Sequence, residues 1–220
     1  MLKNYIKIIK PYNKLLIFFI IIFIVTYLLY RYVKVQITVK GIVENKIVFG
    51  QSLALTKTNY QLGIPYSLGY YLAFQSINRK GGINNYKLEL LVYDDQYNSK
   101  KTIENIKILV NKSSVFGITT VGTPTSTAVV DFLYEKNVPF LQPFTGSNLL
   151  RSVFKKNIIF TLPSYYNELQ LTFDFLQKNS KKNISIIYQN DNFGLSVMND
   201  VNIILNSIKH RNFFNVIFWI

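Results

Sequence analysis

Two regimes of hydrophobic patterning divide the chain. Residues 15–30, Leu-Leu-Ile-Phe-Phe-Ile-Ile-Ile-Phe-Ile-Val-Thr-Tyr-Leu-Leu-Tyr, carry no charge. As a helix rising 1.5 Å per residue they reach about 24 Å, a little short of a hydrocarbon core about 30 Å thick. Tyr12, Tyr30 and Tyr32 suit the two interfaces, and Lys14 and Arg31 can extend their charges out of the apolar layer. Residues 15–33 therefore read as a transmembrane signal-anchor between a basic cytoplasmic N-terminus (1–14) and a linker (34–45). Four lysines precede the segment, which keeps the N-terminus inside, and no Ala-x-Ala-like cleavage site comes after it.

From Lys46 the pattern changes to short apolar runs alternating with helical periodicity. The runs predict strands over 47–51, 88–93, 115–118, 138–141, 158–160 and 184–188. Helices are predicted over 63–78, 99–111, 125–136, 165–178 and 196–209. The last has Val197, Val201, Ile204, Leu205 and Ile208 on one face, the clearest helical spacing in the chain. Strand–helix alternation of this length implies right-handed βαβ units and a mostly parallel sheet. Such sheets bind ligands outside the carboxyl ends of their strands. Segments 52–58, 94–98, 119–126 and 142–148 fall there.

Composition narrows the function. The net charge is +14, but seven of the 25 basic residues and none of the 11 acidic ones lie in residues 1–40, so half the excess flanks the apolar segment. The remaining lysines are scattered, without the basic stripe and interleaved aromatics of a nucleic-acid surface. With no cysteine there is no disulfide, thiolate site or lipoprotein acyl anchor, and the single His210 near the C-terminus cannot assemble a catalytic triad. No nucleophile, base or metal set can be built, so an enzyme is not expected and neither a cofactor nor a metal is.

The stretch Val121-Gly-Thr-Pro-Thr-Ser-Thr127 lies between a predicted strand and a predicted helix. Unpaired N–H groups and a positive dipole end there suit a carboxylate or phosphate. Thr123 is placed to cap and Pro124 suits the first helical position, while the hydroxyls of Thr123, Thr125 and Ser126 add donors. Gly117 and Gly122 have phosphate-loop spacing, but Thr123-Pro124 stands where Lys-Ser/Thr is required, which excludes a nucleotide triphosphatase. Asp94-Asp95 reads as a turn and helix-cap device rather than a metal or acid/base pair. Pro143-Phe-Thr-Gly-Ser147 is a second small, hydroxyl-bearing loop after a strand. Tyr165-Tyr166 and Phe193-Gly194 place aromatics at helix starts, as core or as cleft walls.

Taken in order, several pieces resemble the type I periplasmic binding proteins, most of all the Leu/Ile/Val-type substrate-binding components of ABC transporters. They run from Ile47-Val-Phe-Gly-Gln-Ser-Leu-Ala-Leu-Thr56 through Asn78-Arg-Lys-Gly-Gly-Ile83, Leu88-Glu-Leu-Leu-Val-Tyr-Asp-Asp95 and Val121-Gly-Thr-Pro-Thr-Ser126. Val138-Pro-Phe-Leu-Gln-Pro-Phe-Thr-Gly146, Ser164-Tyr-Tyr-Asn-Glu168 and Tyr188-Gln-Asn-Asp-Asn-Phe-Gly194 complete the series. The resemblance implies two Rossmann-like α/β lobes closing on a ligand whose carboxylate is held by hydroxyls and backbone N–H groups of the first lobe. By position it assigns ligand binding to Thr123, Ser126, Phe144, Thr145, Gly146 and Phe193, the last standing where the family often has Tyr. The implied partners are a small-molecule ligand, an ABC transporter permease and the membrane, with the bulk of the chain extracytoplasmic. Residues 46–160 would be a first lobe and 161–220 a partial second lobe of about two βα units, lacking the acid that usually binds the ligand ammonium. The apolar end, Phe213-Phe-Asn-Val-Ile-Phe-Trp-Ile220, reads as the tail of a truncated product or as one last buried strand. Two alternatives stay open: a remnant without function, and the ligand-sensing ectodomain of a signalling receptor.

Overall fold

A computed structural model describes residues 16, 18–31, 40–113, 115–181, 183–207 and 214–219. The chain divides into two units, Met1–Val39 and Lys40–Ile220. In the first, residues 18–31 form helix α1, with large apolar side chains from Phe18 to Tyr30 exposed. Among the described residues no helix is long and apolar enough to cross a membrane. The described part of α1 spans about 21 Å at 1.5 Å per residue, short of the roughly 20 residues a span needs. The expected anchor at 15–33 also includes residues 15, 17, 32 and 33, which lie outside the described residues.

The second unit opens with β1 (Ile42–Val43), which turns back antiparallel onto β2 (Lys46–Leu53). Four further strands are parallel to β2: β3 (Lys87–Asp94), β4 (Gly117–Thr120), β5 (Phe140–Leu141) and β6 (Ile158–Ile159). β3 lies on one side of β2, and β4, β5 and β6 lie in turn on the other. The parallel order is thus β3-β2-β4-β5-β6, and the winding reverses between β2 and β4. A crevice opens at the carboxyl ends of strands where the order reverses, because the connecting helices leave to opposite faces.

Those helices are α2 (Tyr60–Arg79), α3 (Ser99–Asn111) and the short pair α4 (Thr123–Thr127) and α5 (Val130–Glu135). α3 starts where Asn98 accepts hydrogen bonds from the N–H groups of Lys100 and Lys101, and it buries Thr102, Ile106, Leu109 and Val110. Its apolar stripe joins Val48, Ile118, Leu133, Val138 and Phe140 in the main core. On the opposite sheet face Phe49 packs its ring against Phe74 of α2 and against Phe116. Both faces of β2 are therefore covered, as a parallel sheet requires.

α2 and α7 (Asn192–Ser207) begin three and four residues before their expected starts and β5 is two residues shorter than expected, and two further elements differ in register or continuity. The strand expected over 115–118 lies at Gly117–Thr120, because the ladder partners of β2 begin at Gly117. The helix expected over 125–136 starts at Thr123 and breaks at Ala128–Val129. Thr125 and Thr127 donate their hydroxyls back to the carbonyls of Val121 and Thr123, a competition with the helical ladder that bends or ends helices.

Past β6, Ser164 caps α6 (Tyr165–Lys178) by accepting from Asn167 N–H at 3.2 Å. Then come β7 (Asn183–Tyr188), α7 (Asn192–Ser207) and β8 (Phe214–Trp219), with β8 parallel to β7 over six residue pairs. The apolar end thus contains a strand. Phe173, Met198, Val201 and Ile204 form a small separate core. Outside it Ile187 of β7 and Leu171 and Phe175 of α6 stay about two-thirds exposed or more.

Candidate functional site: hydroxyls and aromatics at the strand ends

The crevice between β2 and β4 is lined by the loops at the carboxyl ends of β3, β4 and β5. After β3, Asp94 accepts from the N–H groups of Leu55, Thr56 and Gln96 and from the Thr56 hydroxyl. Asp95 accepts from Ser52 Oγ at 2.9 Å, Thr102 Oγ1 at 3.1 Å and the N–H of Tyr97 at 2.9 Å. The pair is a turn device, as its sequence context predicts, and among the described residues no group of acids and histidines forms a metal site. Burial opposes charge on both. On Asp94 the four hydrogen bonds outweigh it and the carboxyl lies below its ordinary value; on Asp95 burial dominates and the value is raised.

This turn carries Gln96 and Tyr97 at φ +56° and +58°, in the left-handed region. It lays the Tyr97 ring over Gly122. A Cβ on Gly122 would stand 2.3 Å from Tyr97 Cε2, and Gly122 has φ +101° and ψ 150°, a conformation open to glycine alone. Gly122 is thus required twice, by backbone and by neighbour. Burial, with a smaller push from the Asp191 carboxylate, drives the Tyr97 hydroxyl up to about 12, so it is a neutral donor at any physiological pH.

Gly122, not Thr123, occupies the cap position of α4, and no side chain caps it. The cap expected from Thr123 fails because its hydroxyl is engaged with Thr145 Oγ1 at 2.7 Å, both residues buried. Thr145 Oγ1 also accepts from Ser147 N–H at 3.1 Å and makes a longer contact, 3.4 Å, to the Tyr165 hydroxyl. Since Thr145 has one proton to give, the run reads Thr123 to Thr145 to Tyr165, leaving the Tyr165 proton free to donate onward.

Gly146 sits directly under Tyr165. A Cβ there would meet Tyr165 Cδ1 at 2.6 Å, and Gly146 O accepts from Tyr165 N–H at 2.8 Å. The Phe193 ring packs edge-on against Tyr165 at 5.5 Å between centroids. Asp191 positions it by capping α7, accepting from the N–H groups of Phe193 and Gly194.

The structure thus brings four of the six sequence-derived residues together, Thr123, Thr145, Gly146 and Phe193, around Tyr165. Two lie elsewhere. Ser126 is fully buried with its Oγ 2.8 Å from Thr120 Oγ1, and Thr125 gives its proton to the Val121 carbonyl, so both hydroxyls are engaged inside the first lobe rather than in the cleft group. Phe144 packs edge-on against Tyr66 at 5.4 Å, in a second group where the Tyr66 hydroxyl meets Thr119 Oγ1 and Gln142 O. Beside it Gln51, paired with Thr119 across the β2–β4 reversal, is wholly buried with neither amide atom bonded.

Sequence did not single out Tyr97, and it marked Tyr165 only as core or cleft wall, not as a hydroxyl donor. The available signals were a tyrosine in a strand-end segment and a tyrosine directly after a helix cap, and neither shows its partner 20 or more residues away.

A family model described as "Periplasmic binding protein" matches residues 50–208. No curated protein matches the sequence. Among solved structures, a possible leucine/isoleucine/valine-binding protein from Rhodopirellula baltica SH 1 is similar at 24% identity and TM-score 0.71, over 84% of this chain and 50% of that one. A fatty acid ABC transporter substrate-binding protein from Thermomonospora curvata is similar at 18% identity and TM-score 0.72, over 82% and 46%. A branched-chain amino acid ABC transporter from Thermus thermophilus with bound valine is similar at 16% and 0.71, over 79% and 45%. The chain spans about half the length of these proteins. With the β2–β4 reversal and a family-model match over most of its length, this chain belongs to the periplasmic binding protein family, and its fold is that of part of a type I member.

Proposed function

We propose that this chain is an extracytoplasmic solute-binding protein that captures a small carboxylate, an amino acid or a close relative, and delivers it to an ABC transporter permease. The observation that carries the reading is the hydroxyl run Thr123–Thr145–Tyr165 at the carboxyl ends of β4 and β5, in which the buried threonine pair, 2.7 Å apart, orients Tyr165 and leaves its proton to donate onward, with Tyr97 beside it. Neutral donors suit an anion that is bound and released without chemistry, and Phe193 offers an apolar wall. Residues 46–160 act as the first lobe and 161–220 as part of the second. Binding and closure constitute the mechanism, with no covalent step. Residues 15–33 hold the chain to the membrane.

Calorimetry of residues 41–220 with pools of amino acids, and with fatty acids as the competing class, tests it. Saturable heat with an amino-acid pool, reduced about fivefold or more in affinity by Thr123→Val, is expected from the loss of one buried hydrogen bond of about 1 kcal/mol. A folded sample that binds no pool overturns it. The exposed Ile187, Leu171 and Phe175 favour one second reading, a partial chain whose α6–β7–β8 layer is not closed on itself. Reading the coding sequence downstream of codon 220 in all three frames decides between the two.

A further inference from the structure

We propose that the cavity between the 3-10 turn Asn148–Leu150 and α7 is a second binding site, taking a small primary ammonium at Asp200. The cavity is ≈ 370 Å³ and lies off the cleft, and none of the cleft group lines it. Asn148 and Ser152 face it from one side, and Asn192, Ser196, Asn199 and Asp200 from α7. At roughly 30 Å³ per water it has room for about a dozen water-sized groups.

Asp200 is the reason to assign a cation. Its side chain is 1% exposed. Oδ1 accepts from Asn148 Nδ2 at 2.9 Å, and among the described residues Oδ2 has no partner. A carboxylate withdrawn from water with one neutral donor is short of both charge and hydrogen bonds. Among the described residues no lysine or arginine lines the cavity to answer it. The other lining groups are carboxamides and hydroxyls, whose oxygens accept the remaining protons of an ammonium but cannot supply a charge. Leu149 and Leu195, both about half exposed, border the cavity and fit a short alkyl tail. A bare metal ion would use no such apolar rim, which favours an alkylammonium.

The site is also built across two parts of the fold. Ser147 and Ser196 hold the walls together with Oγ atoms 2.6 Å apart, and Asn148 and Asp200 repeat the link one turn of α7 further on. A ligand bridging them stabilises the docked arrangement, whatever the cleft binds.

Propylammonium chloride tests this on the full chain by thermal shift, with tetramethylammonium chloride and sodium chloride at equal ionic strength. Propylammonium has no carboxylate, so the cleft hydroxyls have nothing to hold, and the response should persist in Thr123→Val even if the cleft reading fails. At tenfold above Kd the unfolding equilibrium should shift about elevenfold toward the native state. Asp200→Asn should abolish the shift and, without ligand, leave the melting temperature unchanged or raised, because an unanswered charge has gone. Should that variant not fold, Asn199→Trp at the exposed rim fills the cavity with Asp200 intact and should abolish the shift. No saturable shift, an equal shift with tetramethylammonium or sodium, or a shift that survives Asp200→Asn or Asn199→Trp overturns the assignment.

Discussion

Gly122→Ala separates the two reasons for the glycine that shapes the site. At φ +101° and ψ 150°, any L-residue carries backbone strain of about 1–3 kcal/mol. Independently, the new methyl carbon would lie 2.3 Å from Tyr97 Cε2 and 2.9 Å from both Cζ and Oη, more than 1 Å inside contact for the nearest atom. Forcing a packed ring to that extent costs typically about 1–3 kcal/mol. The single substitution should therefore destabilise the protein by about 2–6 kcal/mol. In a Tyr97→Ala background only the backbone share should remain, so the two changes should couple by about 1–3 kcal/mol, favourably in the double variant. Urea unfolding monitored by far-ultraviolet circular dichroism gives all four corners of the cycle. Equal costs of Gly122→Ala in both backgrounds would refute the placement of Tyr97 over Gly122, and with it the reading of the Asp94–Asp95 turn as the device that puts it there.

Three further outcomes are expected. Thr123→Val and Thr145→Val should each destabilise by about 1 kcal/mol and couple by about 0.5–1.5 kcal/mol in a double-variant cycle, whereas strict additivity would mean the hydroxyls do not pair. Asp94, lowered in the fold, binds fewer protons folded than unfolded, so its stabilisation is present above its ordinary value and is lost as pH falls through the lowered one; Asp94→Asn should flatten the acid limb of the stability profile. Asp95, raised by burial, binds more protons folded than unfolded, so its contribution falls as pH rises through the raised value; Asp95→Asn should remove that decline, and the two variants giving the same change of slope would refute the assignments. Phe140→Ala, fully buried in β5, should cost about 3–5 kcal/mol in urea unfolding, while Phe175→Ala on the exposed face of α6 should cost well under 1 kcal/mol.

Sequence alone was enough wherever local physics is in control. Period-two and period-3.6 patterning placed α3 and α6 to the residue and the expected strands to within two residues, since each element must bury one face whatever its neighbours are. It also marked the strand ends as the working edge and Asp94-Asp95 as a turn, because carboxylates after a strand have nearby N–H groups to accept. The role of each hydroxyl, by contrast, emerged only with the fold. Thr123, Thr125 and Ser126 look alike in the sequence, yet one meets Thr145, one bonds back to Val121 and one turns to Thr120. A hydroxyl has one proton to give and takes whichever acceptor the fold brings within hydrogen-bond reach, and those acceptors lie from 4 to 22 residues away. The same holds for Tyr97 over Gly122 and Tyr165 over Gly146. Each contact depends on the β3-β2-β4-β5 order, which brings together loops that are far apart along the chain.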